Sequence, residues 1–494
     1  MGVWPATIAG VALFTWQVSG RSPWQAAALG GVAGLSMNTL TIHWIGVLGI
    51  PVAVALVLFM SLWSALLGVM VSLLTRVGGW ILFVPCAWVA VELVSGRIPF
   101  GGFPWNRLAY TVIDQPMAGW LPWVGATGVS FLVAFVAQLG LEAFRGGARG
   151  RTRSVAALLA VFLAGGALQL IPLLEPDEQV SVGVVQGNVN RRLHGTTEYA
   201  SSVTNNMLSE TIFLMASNRA NGDPPLDFVL WPENATDVDP LSHAGTRDLV
   251  EASVAVAGVP ILVGAVMDGP DPDSERQTSS IWWRPDTGPG DRYDKRNIVP
   301  FGEYIPFRDV LLPRFPILQQ VGRQSIPGTE PGVLLAPTTE YPGLVVGNVI
   351  CFELAWDDTV YDTVRAGADV VVSQSNTNTY GGTFEVAQQL AINRVRSAEL
   401  GREMVVATLN SVSGLVDASG AVVEPTREFT AAHRSYTVGL RSTITPAVHL
   451  NPWLGWALAL TALAGVGYAG ARAWRPDASD RLPRQSPAPI GTAR

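Results

Sequence analysis

The chain has 494 residues, of which 49% are hydrophobic and only 14% charged, with a formal net charge of −7. That length allows two or more domains, and soluble domains carry roughly 25% charged residues, so part of this chain must sit in lipid. The acidic balance argues against nucleic acid as a partner, which calls for a basic stripe, and against docking on anionic lipid by electrostatics alone.

In chain order, seven apolar segments read as candidate membrane spans: 3–19, 25–43, 50–74, 79–95, 121–140, 154–173 and 452–471. A spanning helix needs about 20 largely apolar residues. The first segment has neither a basic leader nor a small-residue cleavage site, so it does not read as a signal peptide. Arginine collects in the short loop at 144–153 (Arg145, Arg149, Arg151, Arg153) and again after the last span, from Arg472 to Arg494. Short loops rich in arginine face the cytoplasm, which places 174–445 on the far side of the membrane. The expected organisation is therefore 1–173 as membrane helices with about six spans, 174–445 as an extracytoplasmic globular domain, 446–473 as a C-terminal transmembrane helix, and 474–494 as a disordered cytoplasmic tail rich in Pro and Arg.

The middle region differs in kind. It holds 34 acidic residues against 18 arginines and one lysine. The runs at 181–189, 227–233, 259–266 and 368–376 are short, β-branched and closed by polar residues or glycine, the pattern of buried strands. Between them, 196–219 and 384–401 have helical spacing. In the latter, Phe384, Ala387, Ala391, Val395 and Ala398 would form the apolar face, and Gly401 the C-cap. Strands alternating with helices predict an α/β domain with its chemistry at strand ends.

Three residues stand out as chemically informative. Cys86 lies in a candidate span and reads as a small buried apolar residue. Cys351 is the only cysteine of the middle region, so it is either buried and inert or present for its reactivity. It follows the strand-like LVVGNVI and opens CFE, a strand-to-helix turn that can aim a nucleophile and offer N–H groups to an oxyanion. Of 32 basic residues only Lys295 is a lysine. Lysine differs from arginine in being a compact charge whose pKa moves on burial, although a chance survivor is the plainer reading. Glu233 closes the strand in LWPEN, where a fixed, partly buried carboxylate could act as a general base. A turn or helix-capping acid is the alternative. Glu303 and Glu353 lie beside the lysine and the cysteine and could orient them or share charge.

A strand-end Glu, a lysine in DKRNIVPFGEYIP and a Cys followed by an aromatic residue and Glu resemble the nitrilase superfamily. Set among membrane helices, they are similar specifically to the apolipoprotein N-acyltransferase family. PFGGFPWNRLAY (99–110), VVQGN (184–188) and the stretch 393–420 extend the likeness over nearly the whole chain. The resemblance implies a four-layer αββα sandwich on a bundle of transmembrane helices. It also implies Glu233 as general base, Lys295 as oxyanion stabiliser and Cys351 as nucleophile, with Glu303 and Glu353 in support. Phe352, Asn376, Tyr380 and Trp105 become candidates for substrate binding. The implied reaction is ping-pong: Cys351 takes an acyl chain from a phospholipid, and the amine of a diacylglyceryl-cysteine lipoprotein then attacks the thioester. Phospholipid, lipoprotein and bilayer are the expected partners, with no cofactor and no metal. Two departures are visible. Phe352 stands where relatives carry Tyr, and Ser375-Asn376-Thr377-Asn378-Thr379-Tyr380 stands where the family tends towards S-N-D-A-W-F. Two other readings stay open: a membrane-anchored carbon–nitrogen hydrolase, and a non-catalytic paralogue that binds lipoproteins.

Overall fold

The computed structural model describes residues 3–171, 175–189, 197–451 and 453–473, so the expected tail at 474–494 lies outside the described residues. Six helices come first: α1 (Trp4–Val18), α2 (Pro23–Ile42), α3 (Ile50–Leu74), α4 (Trp80–Ser95), α5 (Leu121–Arg145) and α6 (Ala148–Gln169). Local chemistry sets their starts. Ser22 accepts from the Gln25 N–H and the Gln25 side chain accepts from Ser22, a capping box with Pro23 in the first turn.

Helices stand on all six apolar segments of this half, but not all are long enough to cross a bilayer. At 1.5 Å per residue, α1 with 15 residues and α4 with 16 fall short of a core about 30 Å thick. Among the described residues four helices are long and apolar enough: Ile50–Leu74, Pro116–Arg145, Ala148–Gln169 and Trp453–Arg472. Helix α2 has the length, but its glycines and polar residues dilute its hydropathy. Those glycines serve packing instead. A Cβ on Gly30 would come within 2.5 Å of the Ser64 carbonyl oxygen, and one on Gly68 within 2.3 Å of that of Ala26. The backbones of α2 and α3 touch through small residues, as association without a hydrophobic driving force requires.

The polar region then runs β1 (Glu178–Gln186), α7 (Thr197–Asn221), β2 (Phe228–Leu230), α8 (Ala244–Ala257), β3 (Ile261–Asp268), β4 (Glu275–Arg284), β5 (Gly288–Asp294), α9 (Arg308–Leu311), β6 (Gln324–Ser325), β7 (Val333–Leu335) and β8 (Val345–Ile350). It continues with α10 (Asp357–Arg365), β9 (Val370–Ser375), α11 (Phe384–Leu400), β10 (Met404–Thr408), β11 (Gly414–Val416), β12 (Val422–Val423), β13 (Ala432–Leu440), α12 (Pro446–Leu450) and α13 (Trp453–Ala473). Two sheets result. One has the order β13-β1-β2-β3-β4-β5, with β6 beside β4, and the other β12-β11-β10-β9-β8-β7. Parallel neighbours are joined through helices, β1-α7-β2-α8-β3 in the first sheet and β8-α10-β9-α11-β10 in the second.

Side-chain alternation builds the layers. Val180, Val182 and Val184 of β1 meet Val370 and Val372 of β9 between the sheets. Val185 turns outward to the α7–α8 side, and Val371 to the α11 side. The domain is thus an αββα sandwich. In α11 the structure corrects two residues of the predicted apolar face: Phe384 is 63% exposed and Ala387 is exposed too, while Glu385, Gln388, Gln389 and Arg396 are buried. Tertiary partners there accept polar side chains that periodicity alone sends outward.

A buried ionic network joins the apolar helices to the sandwich. Arg396 of α11 donates to the Leu354 and Ala355 carbonyls at 2.8 and 3.0 Å, and pairs with Glu399 at 2.6 Å and Asp357 at 2.7 Å. Asp357 also meets Arg107 at 2.5 Å, and Arg107 lies 3.7 Å from Glu92 of α4. Burial alone would raise the Asp357 carboxyl, but Arg107 and Arg396 hold it well below the usual carboxylate range. Glu399 accepts from the Ala126 N–H in α5 and from Tyr361.

The close α2–α3 contact gives a direct test. Gly68→Leu should overpack it at a cost of about 1–3 kcal/mol, seen as a lower unfolding temperature of the purified protein in detergent. An unchanged temperature would show that the two helices can part freely.

Candidate active site

Three loops at strand ends converge on one point, where an open α/β sheet ordinarily places its chemistry. Glu233 follows β2, Lys295 follows β5 and Cys351 follows β8. Lys295 is 1% exposed and Glu233 4%. The Lys295 Nζ donates to Glu233 Oε1 at 3.2 Å and to Glu303 Oε1 at 2.8 Å. The second oxygens of both carboxylates are also satisfied, Glu233 Oε2 by the Asn376 N–H at 2.7 Å and Glu303 Oε2 by the Val299 N–H at 2.8 Å. Burial pulls the Lys295 ammonium down, but the two carboxylates outweigh it and hold it well above the usual lysine range. Glu233 is raised, by burial first and then by the neighbouring charge of Glu303, against the pull of Lys295.

Cys351 has φ +54°, a left-handed conformation uncommon for a residue with a side chain. It opens the 3-10 turn Cys351–Ala355 directly after β8, so the chain reverses there and leaves Cys351 half-buried. Burial and the charge of Glu233 push the thiol well above its ordinary value, while Lys295 works the other way. The resting group is therefore a thiol, and attack requires a base. Gln389 Nε2 lies 3.9 Å from the sulfur and donates to Ser375 Oγ at 2.9 Å.

Glu353 plays a different part from Glu303. It is wholly buried. Its carboxylate accepts from the Tyr293 hydroxyl at 2.8 Å and from the N–H groups of Arg296, Asn297 and Ile350 at 2.7, 3.1 and 2.9 Å. It therefore pins the lysine loop to the cysteine turn, with every contact an accepted hydrogen bond.

The aromatic candidates form one packed wall beside the sulfur. Phe352 stacks on Trp105 at 5.0 Å between ring centroids, with Trp356 at 4.7 Å and Phe103 at 5.6 Å. Trp105 is buried. Its Nε1 donates to Gln388 Oε1 at 2.7 Å, as does that of Trp44 at 3.0 Å. Tyr380 packs edge-on against Trp44 at 5.2 Å. Asn376 serves the site through its backbone N–H, while its side-chain oxygen accepts from the Asn378 N–H at 3.2 Å. Sequence reasoning missed Trp44, Gln388, Gln389 and Glu385. The signal for the last three was a run of polar residues inside a helix with a capped start, Thr383 accepting from the Glu385 N–H. Among the described residues no His, Cys, Asp and Glu cluster is suited to a metal ion.

Residues 1–139 match the family described as the apolipoprotein N-acyltransferase N-terminal domain. An apolipoprotein N-acyltransferase of Mycolicibacterium smegmatis is 30% identical over 489 residues, covering 94% of this chain and 81% of the relative. Another, from Vibrio cholerae, is 24% identical over 477 residues, covering 92% and 89%. Among solved structures, a mutant of the amidase from Nesterenkonia sp. AN1 covers 55% of this chain and 96% of its own at 13% identity, with a TM-score of 0.39. A Saccharomyces cerevisiae member of branch 10 of the nitrilase superfamily covers 62% and 98% at 12% identity, with a TM-score of 0.38. Identity at this level along nearly its full length places the chain in the apolipoprotein N-acyltransferase family.

Proposed function

We propose that this membrane protein transfers a fatty acyl chain from a phospholipid to the N-terminal amine of a diacylglyceryl-cysteine lipoprotein, through a thioester on Cys351. The observation that carries the reading is the buried Lys295 held between Glu233 and Glu303 beside a thiol in a strained turn, in a chain of this family. The arginines after Phe144 and after the last helix support a topology with 174–445 outside the cytoplasm, 1–173 as membrane helices and 446–473 as a returning helix.

In the first half-reaction Glu233 takes the Cys351 proton as Sγ attacks the ester carbonyl carbon. The Lys295 ammonium faces the oxygen that gains charge, in a dry site where such stabilisation is strong. The carbonyl–oxygen bond to glycerol breaks, and Glu233 returns the proton to the leaving alkoxide, giving a lysophospholipid. In the second, the acceptor amine attacks the thioester, the C–S bond breaks, and Glu233 passes the amine's proton to sulfur. Both substrates lie in the bilayer, so holding the site beside it raises their effective concentration. The aromatic wall of Phe352, Trp105 and Phe103 supplies an apolar surface for the chain, and Asn376 and Tyr380 border the approach to Cys351.

Three outcomes check this reading. Intact mass of the purified protein after incubation with phospholipid should rise by one acyl group that hydroxylamine removes, with no rise for Cys351→Ala; an unmodified wild type would refute the thioester. Lys295→Arg should lower transfer by at least about 100-fold, the scale of one oxyanion donor, because a planar fork does not fit between two carboxylates spaced for a point charge. Near-normal turnover in that variant would remove Lys295 from the chemistry. Glu353→Gln turns one carboxylate oxygen into an amide donor, set against either the Ile350 N–H or the N–H groups of Arg296 and Asn297, and should cost about 1–3 kcal/mol of stability, with both half-reactions slowed alike. A variant as stable as the wild type would show that Glu353 does not hold the two loops together.

A further inference from the structure

The first turn of α11 carries a carboxyl that the acyl-transfer steps above leave unused. Glu385 is 3% exposed, and its Oε2 has no hydrogen-bond partner among the described residues, although buried polar atoms are as a rule satisfied. Residues four apart share a helix face, about 5.4 Å from one turn to the next. Gln389, four residues on, reaches to within 3.9 Å of the Cys351 sulfur. Glu385 therefore stands one turn outward from the thiol. Beyond it, Thr383, Phe384 and Glu428 face His43 and Trp44 across a cleft of about 560 Å³. Glu428 is held there by the Gly382 N–H at 2.9 Å. Among the described residues no Lys, Arg or His pairs with either carboxyl within 4.0 Å. Among the described residues, Glu385 without a cation thus lies one helical turn from the side chain that reaches the sulfur, and Glu428 without a cation lines the open cleft at the helix–sandwich junction.

That arrangement complements a primary ammonium, and the acceptor must bring one. An α-amine is largely protonated at neutral pH, with a pKa of about 7.7–8.0, and cannot attack a thioester until it loses a proton. We propose that Glu385 receives the α-ammonium of the lipoprotein acceptor and takes its proton, delivering the free amine to the acyl group on Cys351. The inference rests on the thioester reading above. The N–H bond breaks, the proton goes to the Glu385 carboxylate and the electron pair stays on nitrogen. The C–N bond then forms as C–S breaks, and the amine's second proton reaches sulfur through Glu233. Burial, with the charge of Glu428, pushes the Glu385 carboxyl up to about 8, in the range of the amine itself; the charge of the arriving ammonium favours the carboxylate form, and proton transfer between the two is then nearly balanced.

The test separates the half-reactions in full-length protein. Wild type, Glu385→Gln and Glu385→Asp are loaded with acyl chain from phosphatidylethanolamine or phosphatidylglycerol, then mixed with a synthetic diacylglyceryl-cysteine peptide bearing a free amine. Glu385→Gln should load from either lipid within twofold of wild type. Its transfer to the peptide should be about 100-fold slower at pH 7, the scale of one general base, and should recover as pH rises and free amine forms. Hydroxylamine, uncharged at pH 7, should cleave its thioester at the wild-type rate, and Glu385→Asp should restore part of the transfer. Transfer at the wild-type rate in Glu385→Gln, or equal slowing of both half-reactions, overturns the proposal. Slower loading from phosphatidylethanolamine alone also overturns it, because the carboxyl would then serve the lipid headgroup. No thioester on the wild type overturns this inference together with the reading beneath it.

Discussion

One ammonium held between two carboxylates in a dry interior is the constraint on which the site depends. Lys295 carries one positive charge, and Glu233 with Glu303 carry two negative ones. An isolated buried charge is prohibitively costly, so the group persists only because partners and backbone donors satisfy each atom. Burial has a chemical consequence. Burial first, and then the neighbouring carboxylates, raise the thiol of Cys351 and the carboxyl of Glu233 together against the pull of Lys295, so the proton of the resting site stays on sulfur. A thiol kept protonated is also protected from idle oxidation.

The second constraint is mechanical. The turn that presents Cys351 is held from one side by Glu353, which ties it to the lysine loop. From the other side it is held by Arg396, whose guanidinium takes the carbonyls of Leu354 and Ala355. Arg396 belongs to a network that runs through Asp357 and Arg107 to Glu92 in α4, and through Glu399 to the Ala126 N–H in α5. Buried ion pairs are weak contributors to stability, but breaking one partner leaves an uncompensated charge. A network of this kind fixes Cys351 relative to the apolar helices more firmly than an apolar contact that can slide. Under the proposed reaction, whose substrates are both confined to the bilayer, that fixed placement is part of the catalytic geometry.

The residues found in advance were those with an unusual identity or place in the pattern. Lys295 was conspicuous in a chain with 31 arginines, and Cys351 as the one cysteine of its domain. Glu303 lies eight residues beyond the lysine, close enough to be read with it. The unforeseen residues reach the site across long stretches of chain. Trp44 meets Gln388, 344 residues away, and Gln389 meets the sulfur from 38 residues on. Phe384 shows the opposite failure: a regular period put it inside, and the neighbouring helices left it exposed.

By itself the sequence determined the division into apolar helices and an α/β region, because hydrophobic period and charge content are local properties. It also determined which side chains were chemically distinctive, because residue identity needs no coordinates. Only the tertiary structure decided that Glu353 holds two loops instead of reacting, that Asn376 contributes a backbone N–H, and that Glu385 Oε2 has no partner among the described residues. Those are questions of direction and satisfaction for each polar atom, settled when two sheets close over one another and bring distant strand ends within hydrogen-bonding reach.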